Sequence, residues 1–432
     1  MTKPRRSFTL PLAAIVGGGQ ALGTLDDGRK VFVWGGLPDE EVTAQETKRK
    51  SNFSEAIVTD VLSASADRIE PVDPESYLST SPWQIMNFEA EQRYKAALIL
   101  EAFTLHDVQL PNVIDVYTDE QTTHYRNKVE FSWYSDSNES GEETLRLAFF
   151  RRGSKGKIPI DQFSLIPDSM YALADSIRLA LEQKGVTARQ LKTLLIRCDQ
   201  TGRCAWQLYV KDRDFRAFSE ADAAGFDAQG GEVIYSDPRS PASRITERLL
   251  AVGNVVLTDT ILNVPFSYAT EGFFQVNLPV YEQALEDMRT WVPSGKTVDL
   301  YSGVGSIGLT IGGDECTLVE VDEHAVREMK RNITSLGSRA QAVLAPAEKS
   351  LEYIDPDATI IVDPPRAGLH ADVVARLREV MPARIIYLSC NPVTQARDVG
   401  LLQDIYRIVH HKGYNFFPRT PHIEHLVVLE KH

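Results

Sequence analysis

From residue 296 onward the chain repeats one pattern: a short apolar run, a break in Asp, Gly, Pro or Cys, then a helix-like segment. The runs are "KTVDLYSG", "ECTLVEVD", "TIIVDPP" and "RIIYLSC", and "EHAVREMKRNITSLG" is one of the spacers. In that spacer Ala325, Met329, Ile333 and Leu336 recur at helical spacing, and Gly337 follows as a stop. Strand alternating with helix predicts a doubly wound parallel α/β sheet, Rossmann-like in build. Ligands of such sheets lie beyond the carboxyl ends of the strands. Each run ends there in unusual residues: Asp299 to Gly305, Glu320 to Asp322, Asp363 to Arg366, and Cys390-Asn391-Pro392. The last of these places a reactive thiol where a strand stops.

A chain of 432 residues is too long for one ordinary core, so further domains are expected. Residues 1–66 read as short strands: "SFTLPLAAIV", "KVFVWG", "EVTAQETKRK" and "EAIVTDVLSA", with "GGGQALGTLDDGR" as a long turn. That density of strands predicts a small OB-like β-barrel. The barrel carries 8 Lys+Arg against 8 Asp+Glu, so the net charge of −14 comes entirely from the rest of the chain. A Pro- and Asp-containing linker (69–83) leads to a helix at 87–103, with Ala96, Leu98, Ile99 and Leu100 toward a core, which we place against the C-terminal domain. Residues 110–262 are mainly strands with one helix around 168–184. The predicted division is a barrel over 1–66, an α+β domain over 67–262 and the parallel-sheet domain over 263–432.

The longest apolar-leaning stretch, 249–269, contains Asp259 and two asparagines, so no membrane span is expected. "MTKPRRSFTLPLAAIVGGG" mimics a leader peptide, but Thr9 and Pro11 interrupt it and a strand is the better reading. The four cysteines, Cys198, Cys204, Cys316 and Cys390, contain no CxxC, so neither a disulfide framework nor a zinc site is predicted. Cys198 and Cys204 flank "DQTGR" and read as ordinary strand residues. Cytoplasmic localisation is the corresponding expectation. The acidic balance argues against a basic coat while leaving a local basic site open.

"VDLYSGVGSIGLTI" (298–311) is a strand, a glycine turn and a helix start. Gly303 and Gly305 allow close backbone approach to a ligand, and with Gly308 they fit GxGxxG. Glu320, ending the next strand, suits the two hydroxyls of a ribose. Nicotinamide dinucleotides and S-adenosylmethionine both satisfy these residues. "IIVDPPRAGL" (360–369) favours the second, because Asp-Pro-Pro makes a rigid turn that presents a polar edge to a planar base and has no part in hydride transfer.

"DPPRAG" (363–368) is followed after sixteen residues by "IIYLSCNPVT" (385–394), then by "NFFPRTPHIE" (415–424), and preceded by "GFFQVN" (272–277). In these motifs the chain resembles the RNA uridine-5-methyltransferase family, which makes 5-methyluridine in tRNA or ribosomal RNA. The first 66 residues look like the TRAM barrel of several members. The resemblance covers nearly the whole chain and is strongest over 265–430. It implies S-adenosylmethionine as cofactor, Cys390 as nucleophile and Glu424 as base. It places Gln275, Tyr301, Ser306 and Asp363 with Gly303, Gly305 and Glu320 around the cofactor, and Arg366 near the uracil. Metal plays no part in that chemistry. Three positions depart from the family: Asn415 stands where Asp is usual, Arg419 where an uncharged residue is usual, and Ser306 where Asn is frequent. Many members hold an iron–sulfur cluster on cysteines. The corresponding "STSPWQIMNFEAEQ" has none, and Cys198 with Cys204 cannot supply four thiolates, so no cluster is expected.

The implied chemistry explains the residue types. Uridine C5 is a poor nucleophile; thiolate addition at C6 turns the ring into an enolate that attacks a methyl sulfonium. A base must then take the C5 proton before the thiolate leaves, a role for Glu424, with His422 and His425 as titratable neighbours. RNA must present a flipped base. "HYRNKVEF" offers Arg126 and Lys128, and "FFRRGSKGK" offers Arg151, Arg152, Lys155 and Lys157, as phosphate contacts beside aromatics. RNA is the expected partner, ribosomal or transfer RNA, with no obligate protein partner inferred. Two other readings compete: an NAD-dependent dehydrogenase, which leaves Cys390, Asp363 and Glu424 without a role, and a non-catalytic RNA-binding assembly factor.

Overall fold

The computed structural model describes residues 6–137, 143–241 and 243–432. Strands β1 (Ser7–Val16), β2 (Gln20–Thr24), β3 (Lys30–Trp34), β4 (Glu41–Arg49) and β5 (Phe53–Ser63) close a barrel in the order β1-β2-β3-β5-β4. Alternation fills it: Leu10, Leu12, Val31, Val33, Val42, Ala44 and Ala56 point inward and are buried. The stretch read as one long turn contains β2, whose brief alternation is hidden among glycines. The turn proper is Gly17–Gly19.

Helices α1 (Tyr77–Thr80) and α2 (Phe88–Thr104) follow. Asn87 caps α2 by accepting the Ala90 amide at 2.8 Å. Ile99, Ala102 and Phe103 join the core of the C-terminal domain. Leu100, expected inside, is 55% exposed. The inner face instead carries Glu91 and Lys95, both fully buried and 3.2 Å apart. Strand β6 (Val116–Tyr117) then joins the edge of the C-terminal sheet. Segment 88–117 therefore packs as part of the catalytic layer, although it lies within the stretch read as the central domain.

The central domain is a seven-stranded sheet ordered β13-β12-β11-β10-β7-β8-β9. Its strands are β7 (Lys128–Ser137), β8 (Glu143–Phe150), β9 (Lys157–Pro159), β10 (Leu191–Cys198), β11 (Cys204–Val210), β12 (Gly230–Tyr235) and β13 (Glu247–Gly253). Helix α3 (Asp168–Gln183) covers one face through Met170, Leu173, Ala174, Ile177 and Leu181, and α4 (Glu220–Ala224) lies near β12 and β13. In the β10–β11 hairpin Cys198 pairs across to Cys204, and the two form a disulfide. Reading them as unpaired strand residues missed this, because the hairpin register, not their spacing alone, sets them opposite each other.

A hairpin of β14 (Val256–Ile261) and β15 (Val264–Ala269) leads into the catalytic layer. That layer contains α5 (Leu278–Arg289), β16 (Lys296–Leu300), α6 (Ser306–Ile311), β17 (Glu315–Glu320), α7 (Glu323–Leu336) and β18 (Gln341–Leu344). It continues with β19 (Thr359–Val362), α8 (Ala371–Val380), β20 (Arg384–Ser389), α9 (Pro392–Leu402), β21 (Tyr406–Tyr414) and β22 (Glu424–Lys431). Gly337, at φ 60°, ends α7 as expected, but the helix's buried face runs through Val326, Met329 and Asn332, about one residue round from the predicted stripe. The strand order is β18-β17-β16-β19-β20-β22-β21-β6. The first five strands are parallel, while β22 is antiparallel to both β20 and β21. The order reverses between β16 and β19, which opens a crevice at their carboxyl ends. Among the described residues no helix is long and apolar enough to cross a membrane.

Candidate active site

Sheet register brings the candidate residues to one edge. Leu300 pairs with Val319 on one side and Val362 on the other, so the next residues, Tyr301, Glu320 and Asp363, sit at one level across the crevice. Ser389 pairs with His425 in the antiparallel β20–β22 ladder. One residue further, Cys390 stands across from Glu424. The strand therefore delivers the thiol to the ligand edge, opposite a carboxylate.

The electrostatics follow from this convergence. Burial, then Glu424 and Asp363, push the Cys390 thiol up to about 12, with Arg366 opposing. Glu424 is 5% exposed, and burial followed by the neighbouring Asp363 holds its carboxyl well above the usual range, again against Arg366. The Asp363 carboxyl is recessed, and burial raises it to about 7. Two carboxyls this close in a low-dielectric site do not both ionise easily, so the pair keeps a proton near neutral pH. The resting thiol is neutral and must give up its proton as it attacks.

His422 does not lie on the strand with Glu424, because β22 begins at Glu424. The Arg366 guanidinium lies 3.0 Å from His422 Nδ1. Guanidinium can only donate, so Nδ1 accepts and Nε2 carries the hydrogen. Burial, then Arg366, lower the imidazole to about 4. His422 thus lacks a free lone pair for the C5 proton. His425 points to the opposite face, is fully buried and has Nδ1 2.7 Å from Gln395 Oε1.

The cofactor cradle fits an adenosyl ligand. A Cβ built on Gly303 would meet nothing within 4 Å, so its backbone faces open space. Gly305, at φ 88°, precedes α6, and Val321 beside Glu320 is 62% exposed as an apolar surface. Glu320 Oε2 accepts from the Gly303 amide at 2.9 Å, while Oε1 accepts from Val321 and Asp322 at 2.7 and 2.8 Å. Three of about four acceptor positions of the carboxylate are filled, which leaves one ribose hydroxyl a direct bond unless the Gly303 amide moves. Glu320→Ala is expected to weaken S-adenosylmethionine binding by ~1–3 kcal/mol. Calorimetry showing unchanged affinity removes Glu320 from the site.

The Tyr301 ring is partly buried and packs on the core cluster containing Leu300 and Leu369, with its hydroxyl near the His370 backbone. Its φ of 67° bends the chain at the strand end. The Ser306 hydroxyl lies 2.8 Å from that of Tyr281. Arg366 is exposed, and its carbonyl accepts from Asn391 Nδ2 at 2.8 Å, tying its loop to the cysteine loop. Arg126 is half-buried, and its charge bears on His422. Lys128 is half-buried, 3.4 Å from the Glu271 carbonyl and 3.6 Å from Glu130. Arg151 is exposed. Arg152 is not a free phosphate contact: it stacks on Trp34 of the barrel at 4.1 Å and also bonds the Leu78 carbonyl.

Several site residues were missed by motif reading. Arg197, fully buried on β10, donates to the Gly272 and Phe274 carbonyls at 2.6 and 2.9 Å and lies 4.6 Å over Tyr268. Asn127 Nδ2 bonds the Gln275 carbonyl at 2.9 Å. The central sheet thereby holds the loop carrying Gln275, with Phe273 74% exposed at its tip. An arginine inside the apolar run "LLIRC" was the visible signal. Asp299, fully buried, accepts the Gly308 amide at 2.9 Å, and burial lifts its carboxyl to about 8. The third glycine of the fingerprint therefore serves packing and this bond, with a Cβ there falling 2.2 Å from Leu318.

The buried pair of α2 accounts for Asn415 and meets the backbone of Arg419. Asn415 Nδ2 donates to Glu91 Oε1 at 2.8 Å while its oxygen faces Lys95 Nζ. A carboxylate in its place would oppose Glu91. The Arg419 amide donates to both Glu91 oxygens at 3.1 Å, and its guanidinium bonds the Met86 carbonyl at 3.0 Å.

Comparison with known proteins bears on the same stretch of chain. The family model for tRNA (uracil-5-)-methyltransferase matches residues 350–432, the stretch that carries Asp363, Cys390 and Glu424. In that stretch the chain is similar to the uracil-5-methyltransferase family. A relative from Nitratidesulfovibrio vulgaris, named an uncharacterized RNA methyltransferase, is 27% identical over 96% of this chain and 94% of its own. One of the same name from Thermotoga maritima is 26% identical over 96% and 97%. The structure of Pyrococcus abyssi tRNA (uracil-54, C5)-methyltransferase, in complex with S-adenosyl-L-homocysteine, superposes with a TM-score of 0.78 at 20% identity, covering 98% of this chain and 100% of that one. It shares the fold. The family-model match and the named relatives support an RNA methyltransferase. Against the dehydrogenase reading, β22 is antiparallel between β20 and β21 and departs from the dinucleotide sheet order.

Proposed function

We propose that this enzyme methylates C5 of a flipped uridine in structured RNA, tRNA or 23S ribosomal RNA, through a covalent bond between Cys390 and uracil C6. The placement of Cys390 across from Glu424, beside Asp363, carries this reading. The Cys390 thiol passes its proton to solvent as the sulfur adds to C6, and the ring's electrons move to C5 and O4. S-adenosylmethionine supplies the methyl sulfonium that C5 attacks. C5 then holds both a methyl and a hydrogen. Glu424, as carboxylate, takes that hydrogen as a proton; the electron pair reforms C5=C6 and expels the thiolate. Arg366 holds positive charge beside the enolate and opposes the acid-shifting effect of the two carboxylates. Glu320, Gly303 and Gly305 hold the adenosyl half, and Asp363 with Gln275 the reacting side.

Mass mapping of 5-methyluridine in tRNA and ribosomal RNA from cells lacking the protein tests this. One uridine should lose its methyl group and regain it on complementation; unchanged maps in both RNAs sink the reading.

The barrel, as a TRAM-like module, and the neighbouring hairpin serve RNA in this reading. Arg151 and Lys155 are exposed and have no ion pair among the described residues. Neutralising both should flatten the salt dependence of RNA binding by about 1.4 in log–log slope, at about 0.7 per single-strand phosphate contact. Cofactor affinity should stay. An unaltered slope makes the pair solvated charges only.

A further inference from the structure

The barrel touches the loop that carries the base. Between β1 and β2, Gly18 and Gly19 adopt φ 89° and 85°. Gly18 is exposed, and a Cβ there meets nothing within 4 Å. Gly19 is buried, and a Cβ there would fall 2.1 Å from Pro421 Cβ and 2.7 Å from its Cγ. Trp83, 2% exposed, fastens the contact: its indole N–H donates to the Gly19 carbonyl at 2.9 Å, and its amide donates to the Arg419 carbonyl at 3.1 Å. Pro421 adjoins His422, which bonds Arg366, and precedes Glu424 by three residues. Arg366 in turn holds Asn391, next to Cys390.

The barrel does not need this contact to stay attached. Arg68 bridges Glu40 Oε2 and the Gly35 carbonyl at 2.7 and 2.8 Å, and Arg152 stacks on Trp34. Gly19 therefore presses on segment Pro421–Glu424 from a barrel anchored elsewhere. We infer that Gly19 and Trp83 are positioning residues for Glu424: the barrel is a wall of the active site that sets how fast the C5 proton is removed, and not only a module for RNA affinity. This rests on Glu424 being the base.

The test uses the full chain with uridine-containing substrate RNA and cofactor labelled in its methyl group. Formation and breakdown of the labelled protein–RNA adduct are followed separately on denaturing gels, with cofactor affinity by calorimetry. Gly18→Ala and Gly19→Ala share the left-handed backbone, but only the second intrudes on Pro421. Gly19→Ala should slow adduct breakdown by about tenfold to 10²-fold, the scale of an ångström-sized misplacement. Adduct formation and cofactor affinity should change little, and Gly18→Ala should match wild type. Trp83→Phe, which keeps one aromatic ring and loses the indole bond to Gly19, should slow breakdown in the same direction and stands in if Gly19→Ala does not fold. Equal breakdown rates across all variants overturn the inference. So does a parallel loss of cofactor affinity, which marks general destabilisation. If Glu424→Gln forms no adduct in the same assay, the assignment of the base is wrong and this inference goes with it.

Discussion

Glu424→Gln leaves the enzyme joined to its RNA. The variant keeps the Cys390 thiol and the shape of the side chain but loses the acceptor for the C5 proton. It should add to C6 and transfer the methyl group, then stall, because the thiolate cannot leave until that proton has gone. The adduct should survive denaturing electrophoresis and carry label from the cofactor's methyl group. Turnover should fall by about 10²- to 10⁴-fold, the span of a single general base. In the wild type the carboxyl pair is raised, so its proton is retained to higher pH and the base form appears only as pH rises through that titration, with Asp363 near about 7. Turnover should therefore climb between about pH 6 and 8. Normal turnover by Glu424→Gln gives the base role to another group, although the Nδ1 lone pair of His422 is already taken by Arg366.

Cys390→Ala should form no adduct under any condition and lose all detectable methyl transfer. Without a bond at C6, C5 never becomes nucleophilic. A labelled adduct from this variant removes Cys390 from the mechanism. The wild-type thiol carries a second expectation. It is pushed up to about 12, so thiolate is scarce in the free enzyme at neutral pH, and the thiolate fraction keeps rising well above the usual cysteine range. Alkylation of Cys390 should climb through pH 9 and 10 without a plateau, measured by peptide mass. A plateau near pH 8.5 means the free site already stabilises the thiolate. Cys316, buried in the core, should stay unlabelled.

The local sequence determined the parts that depend on nearest neighbours. Apolar runs ending in Asp, Gly or Cys marked β16, β17, β19 and β20 and put Asp363 and Cys390 at their carboxyl ends. Gly337 stopped α7, because an αL stop is a property of one residue. The family motifs assigned roles to Cys390 and Glu424. Tertiary structure decided the rest, where the partner is remote in the chain. Periodicity sent Leu100 inward, yet the inner face of α2 holds Glu91 and Lys95, which pair with each other and with Asn415 and the Arg419 amide from more than three hundred residues away. Arg152 read as a phosphate contact until the barrel brought Trp34 beneath it. Cys198 and Cys204 became partners through hairpin register. Placement was also decided in space: Glu424 faces Cys390 because β22 runs antiparallel beside β20, and His422 meets an arginine 56 residues away in sequence. Hydrogen-bond partners and burial are properties of the packed chain, and no single stretch of sequence contains them.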